Sequence, residues 1–164
     1  MLIDACFRLA YRIAYRLMCI YWRLTRARTH GALVAIWHDG KVLLVRNSYV
    51  DYYSLPGGYL KTKEDARDAA LRELGEELNL RVLPSELRPG YEETHLWVGK
   101  TDHVVIFDLD VAVRPPFRVD RREVVEADFF APDAALSLNL FPPLRRHIEQ
   151  HVSRHGEGKD HESD

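Results

Sequence analysis

Residues 58–80 read Gly58-Tyr-Leu-Lys-Thr-Lys-Glu64-Asp-Ala-Arg-Asp-Ala-Ala-Leu-Arg72-Glu73-Leu-Gly-Glu76-Glu77-Leu-Asn79-Leu80. From Ala66 onward most of these residues are good helix formers. Thr62 reads as a helix cap, with Asp65 three residues on as an imperfect capping box. Asn79 ends the helix in the left-handed conformation that Gly or Asn tolerates. Glu73, Glu76 and Glu77, spaced i, i+3, i+4, share one helix face. Like charges at that spacing cost a few tenths of a kcal/mol per pair, roughly 0.2–0.5. A divalent cation removes the repulsion, and all-oxygen ligands suit Mg²⁺ or Mn²⁺ rather than Zn²⁺. Ala66, Ala69 and Ala70 on the same side leave room for a loop or ligand, while Leu71, Leu74 and Leu78 would anchor the helix to a sheet. The triplet alone is equally satisfied by a solvated amphipathic helix.

On the N-terminal side, residues 52–61 form a Gly/Pro loop. Before it, apolar runs at 31–37 and 41–46 flank His38-Asp39-Gly40, a strong hairpin signal because both turn positions want φ > 0. Further strands are expected at 80–83, 91–98, 103–113 and 124–130. The run 103–113 is the longest and most apolar, so it belongs in the middle of the sheet, ended by Pro115-Pro116. Residues 131–136 form a short helical turn, and Pro142-Pro143 open a last helix to about His155. Strands mixed with helices argue for an α/β sandwich around one sheet.

The stretch 58–80 resembles the Nudix box, G-x5-E-x7-R-E-U-x-E-E-x-G-U with U aliphatic. Gly58, Glu64, Arg72, Glu73, Leu74, Glu76, Glu77 and Leu80 match. Six such positions coincide by chance in about 10⁻⁷ of windows. Leu55-Pro56-Gly57-Gly58 is the family's usual approach to the box. Asn79 stands where the family has Gly, and Tyr53 where many members carry Trp. The strand order extends the resemblance over residues 30–150. It implies an α/β/α sandwich around a mixed sheet and hydrolysis of a diphosphate linkage in a nucleoside diphosphate derivative. Glu73, Glu76 and Glu77 would then hold Mg²⁺, with Mn²⁺ as a substitute, and Gly58 would join them. One glutamate would serve as general base. Arg72 would orient a neighbouring carboxylate through a bidentate pair. Glu64 would support the loop, and Gly57 and Gly58 would contact substrate. A further carboxylate is sought after the central strand, where Glu123 and Glu126 are candidates and Glu126 is preferred. Arg46 is the favoured phosphate contact, with Lys61, Arg88 and Lys100 behind it. Tyr52, Tyr53, Tyr59, Tyr91 or Trp97 could stack a base, with packing as the alternative for each. The family's downstream signatures are absent: Leu96 stands where a Pro goes with ADP-ribose, and Trp97 and Val98 where dinucleoside polyphosphate hydrolases have Tyr. Alternatives are a catalytically silent binding module, or a membrane-associated pyrophosphatase acting on a lipid-linked diphosphate.

The 164-residue chain carries 23 basic and 25 acidic side chains, a net charge of −2. That balance excludes a general nucleic-acid binder, and no DNA partner is expected. It hides an asymmetry. Residues 1–28 hold six arginines against Asp4, or +5, which leaves −7 for the rest. Residues 2–25 read as one helix without Gly or Pro, its arginines on about a third of the circumference. Those arginines argue against a membrane span, at ~2.5–3.5 kcal/mol each near the centre. Two readings stay open: packing on its own domain or on a second subunit as a homodimer, or lying in a membrane interface. Cys6 and Cys19 are too far apart on a helix to bridge, which fits a reducing cytoplasm, with the inner membrane face as an option. His147, His151 and His155 form an i, i+4, i+8 stripe, expected to be a solvated face rather than a Zn²⁺ site. The expected organisation is a helical segment 1–28, a catalytic domain 29–155 and a disordered polar tail 156–164.

Overall fold

The computed structural model describes residues 2–116 and 123–156. The tail expected at 157–164 and the arginines at 121–122 lie outside the described residues. The chain opens with helix α1 (Leu2–Thr25), followed by β1 (Arg28–His38) and β2 (Lys41–Asn47). Short strand β3 (Gly57–Tyr59) leads to α2 (Ala66–Leu78), a 3₁₀ turn (Pro84–Glu86), β4 (Arg88–Trp97) and β5 (Lys100–Asp110). Strand β6 (Val124–Phe130) and helices α3 (Pro132–Leu136) and α4 (Pro142–Gly156) complete it.

The strands form one mixed sheet in the order β4-β5-β1-β2-β6, with β3 paired to β1. Only β1 and β5 run parallel. β1 occupies the centre and β5 lies beside it, one place from where the apolar run 103–113 suggested. β5 ends at Asp110, well before the proline pair. The sheet is covered on both faces, as the α/β/α expectation holds. On one face Ala69, Ala70, Leu74 and Leu78 of α2 pack against Val34, Ile36, Leu43 and Phe107. On the other, Leu144 and Ile148 of α4 pack against Ala35, Leu44 and Ile106.

The hairpin at residues 38–40 forms as expected: Asp39 and Gly40 take φ of 48° and 68°, joining β1 to β2. Asn79 takes φ 52° and ψ 32° and caps α2. Four expectations need correction. Helix α2 starts at Ala66, with Asp65 as its cap accepting from Arg67 N; Lys63 at φ 63° breaks any helix begun at Thr62. Residues 80–83 form no strand, because Pro84 opens a 3₁₀ turn instead. Ala69 and Ala70 face the sheet, so they leave no approach for a ligand. The histidines of α4 are not a solvated face. His147 is 2% exposed and its Nε2 lies 2.9 Å from Asp108 Oδ1, while His151 stacks on Trp37 at 3.8 Å. The half-buried Asp108 carboxylate needs such partners and also accepts from Trp37 Nε1. The side chain of His155 is outside the described residues.

Helix α1 packs on its own domain, one of the two open readings. Tyr11, Tyr15 and Trp22 turn inward, Tyr15 meeting Tyr49 at 5.1 Å and Trp22 meeting Tyr59 at 6.1 Å. Arg12 Nε donates to Ser48 O at 3.0 Å. Beneath the helix, Lys100 is 1% exposed. Its ammonium sits 4.5 Å from the rings of both Trp22 and Tyr59, pairs with Asp102 Oδ1 at 2.8 Å and donates to Thr29 and Tyr59. A buried cation held this way is stable only because every donor has a partner. Cys6 and Cys19 are both free thiols.

Candidate active site

Gly57 and Gly58 bring the chain close to β1 and α2 at once. Gly57 has φ 138°, and a Cβ there would sit 2.2 Å from Ala32 O. A Cβ on Gly58 would meet Glu73 Oε1 at 2.5 Å. No other residue allows this double approach, which sets β3 against the first glutamate of the helix.

Arg72 organises the charged face. Its guanidinium forks onto Glu64, Nε to Oε1 at 2.8 Å and Nη2 to Oε2 at 3.0 Å. Nη1 reaches Glu73 Oε1 at 2.6 Å and Glu76 Oε2 at 3.2 Å, and Nη2 also donates to Tyr59 O. The bidentate partner is therefore Glu64, with Glu73 and Glu76 held singly. These bonds hold the Glu64 carboxyl down at about 2. Lys61 N donates to the same carboxylate at 2.7 Å, which closes the loop onto the helix.

Glu77 differs from its neighbours. Burial pushes its carboxyl up to about 7, and the nearby charges of Glu73, Glu123 and Glu76 push the same way. The N–H of Gly57, donating to Glu77 Oε2 at 3.0 Å, works against that rise. A carboxyl in this setting needs either a proton or a cation.

Glu73, Glu76 and Glu77 line one wall of a cavity of about 640 Å³, a volume suited to a small-molecule ligand. Gly57, Gly58 and Tyr59 continue that wall. The same cavity is lined by aromatic and apolar groups: Tyr52, Trp97 and Phe141 from the body, and Tyr11, Tyr15, Met18 and Trp22 from α1. Helix α1 is thus the roof of the cavity, a role that the sequence did not disclose. Its inward residues Tyr11, Tyr15 and Trp22 do repeat at helical spacing, which is the signal that was available.

Outside the box the structure separates residues that the sequence had grouped. Glu123 lines the cavity, and its backbone O accepts from Ser48 N. Glu126 does not line it. Glu126 and Arg46 form a pair beside Tyr53 instead, with Arg46 Nη2 to Glu126 Oε2 at 2.9 Å. Glu126 is paired in register with Arg46 within the β2–β6 ladder, whereas Glu123 precedes β6. Arg88 is paired to Asp110, and Lys100 is enclosed. Lys61, 3.9 Å from Glu76, is the candidate cation nearest the glutamates. Of the candidate stacking rings, Tyr52, Tyr59 and Trp97 reach the cavity, while Tyr53 packs on Phe130 and Tyr91 bonds Glu93.

Among the described residues no three carboxylate, imidazole or thiol groups converge tightly enough to ligate one ion in these rotamers. Glu73 is turned to Arg72 and Glu77 to Gly57. The donor set nevertheless fits a hard divalent cation. All ligands are carboxylate oxygens, they share one wall, and the raised Glu77 carboxyl records charge not yet neutralised.

Comparison with curated protein sequences returns no match. Solved structures do resemble the chain. The MutT NUDIX hydrolase from Burkholderia pseudomallei superposes with a TM-score of 0.66 at 23% identity, over 76% of this chain and 98% of that one. The E. coli ORF135 protein gives 0.64 at 21% identity, over 84% and 95%. An Ap4A hydrolase from C. elegans gives 0.63 at 17% identity, over 79% and 98%. These likenesses establish the fold. The NUDIX domain family model matches residues 27–151, most of the chain and all of the glutamate-bearing wall. By that match, with the box residues in place around one cavity, the chain belongs to the NUDIX family.

Proposed function

We propose that this protein is a Mg²⁺-dependent hydrolase of a nucleoside diphosphate derivative, cleaving its phosphoric anhydride bond. One observation carries the reading: three box glutamates and the Gly57-Gly58 loop share the lining of one cavity of about 640 Å³ with a set of aromatic side chains. A nucleoside diphosphate has the matching halves, an anionic end and a flat aromatic end.

Glu73, Glu76 and Glu77 would hold the metal, with Gly58 beside them; Mn²⁺ would substitute. When bound, the ion supplies Lewis acidity and lowers the pKa of attacking water. Arg72 holds Glu64, Glu73 and Glu76 in one arrangement, and Glu73 and Glu77 would turn from Arg72 and Gly57 toward the ion on loading. Glu123 takes the part first assigned to Glu126, because it alone of the two lines the cavity. Arg46 is withdrawn as a phosphate ligand, because it pairs with Glu126 away from the cavity lining. Tyr52, Tyr59 and Trp97 present rings to the base, with Tyr11, Tyr15 and Trp22 above.

The test is product analysis on a panel of nucleoside diphosphate derivatives with Mg²⁺, wild type against Glu77→Gln. Turnover lost in the variant supports the assignment. No turnover on any substrate, or turnover untouched by Glu77→Gln, overturns it.

A further inference from the structure

Helix α1 has two apolar sides, and the body covers only one. At about 100° per residue, Tyr11, Tyr15 and Trp22 centre on the inward direction. Leu9, Ile13, Leu17, Ile20 and Leu24 fall within about 80° of one another on the opposite side. The structure leaves that stripe open: Leu9 is 59% exposed, Leu17 62% and Leu24 80%, with Ile13 and Ile20 also exposed. An unbroken aliphatic stripe over about four turns is larger than a monomer's scattered surface apolars and calls for a partner.

The charges flanking it select the partner. Arg12, Arg16 and Arg23 run along one edge of the stripe, and Phe7 and Tyr21 along the other, both exposed. The only acidic residue of the helix is Asp4, on the inward side. An antiparallel pairing of two copies through the stripe would set arginine edge against arginine edge with no carboxylate between. A parallel pairing would set arginines against Ala10, Ala14 and Tyr21 and gain no ion pair. Anionic headgroups complement the arginine edge, and aliphatic and aromatic side chains enter the acyl boundary beside it. The helix is about 36 Å long and no helix of the described residues is long and apolar enough to cross a membrane, so it would lie in the plane.

We infer that the outer face of α1 seats the enzyme on an anionic bilayer surface, while its inner face roofs the catalytic cavity.

The test uses the full chain and co-sedimentation with vesicles of phosphatidylcholine alone or mixed with phosphatidylserine. Wild type binds the mixed vesicles, less so at high salt. Leu17→Glu combined with Ile20→Glu lowers binding about tenfold or more, since two buried aliphatics become charges repelled by the surface. Neither residue lines the cavity, so the variant keeps its thermal midpoint and circular dichroism. Arg16→Glu, which leaves the stripe intact, lowers only the component that depends on phosphatidylserine. Wild type that ignores anionic vesicles overturns the inference, as does a double variant that binds equally. A stable dimer in light scattering that the double variant splits, without vesicle binding, assigns the stripe to a second copy and also overturns it.

Discussion

Replacing Glu77 by Gln is expected to make the metal-free protein more stable at alkaline pH while removing its catalytic competence. The Glu77 carboxyl is pushed from the usual 4.5 to about 7, first by burial and then by Glu73, Glu123 and Glu76. At roughly 1.4 kcal/mol per pH unit, that rise corresponds to about 3 kcal/mol, a ceiling for a side chain that keeps some solvent contact. The folded state keeps a proton that the unfolded chain has already released between pH 4.5 and about 7. Stability therefore falls as pH rises through that window, is lowest above it, and is unaffected below it. Glutamine retains an oxygen to accept the Gly57 N–H and carries no charge to bury. Urea unfolding with a chelator, at about pH 8 and about pH 5, measures the effect. The variant should lead by up to about 3 kcal/mol at the higher pH, and the gap should close at the lower. Saturating Mg²⁺ should reverse the order, because only the wild-type site gains full binding free energy. Equal stabilities at alkaline pH in chelator, or a gap that persists in acid, would refute the reasoning.

The remaining expectations concern the supports of the site. Arg72→Lys loses the fork that holds Glu64 and contacts Glu73 and Glu76; the Mg²⁺ concentration giving half-maximal activity should rise about 10–100-fold. Gly58→Ala forces Glu73 aside and should lower kcat, whereas Gly57→Ala collides with backbone and should lower the thermal midpoint as well. Glu123→Gln should reduce kcat/KM, while Glu126→Gln should leave it within about twofold and cost no more than about 1 kcal/mol in urea unfolding. Val98 sits at φ 51° in the turn between β4 and β5, costly for a β-branched residue, so Val98→Asn should stabilise by about 1–2 kcal/mol in the same assay.

What the sequence disclosed was local. Asp39-Gly40 set the first hairpin through φ > 0, and the i, i+3, i+4 glutamates with Asn79 set the charged helix and its end. The Val98-Gly99 hairpin stayed hidden because a β-branched residue occupies the place where Asn or Asp would announce a turn. Strand β3 was read as loop, since three residues with two glycines carry no period-2 signal. The choice between Glu123 and Glu126 depended on where β6 begins and on its pairing with β2, which sets Glu126 against Arg46 and leaves Glu123 ahead of the strand. The inward histidines of α4 depended on the half-buried Asp108 of β5, 39 residues before His147 in sequence. In each case the missing information was a long-range pairing rather than a propensity.

The roof of the cavity comes from residues that precede the family-matched region, and its floor from residues within it. Part of the cavity's lining is therefore carried by a stretch of chain separate from the one that bears the glutamates. Substitutions at Tyr11, Ala14, Tyr15 or Met18 can retune which base or side group fits without disturbing a single glutamate. Such an arrangement would let the shape of the cavity change through the leading helix alone, as a tool takes a new head on an old handle.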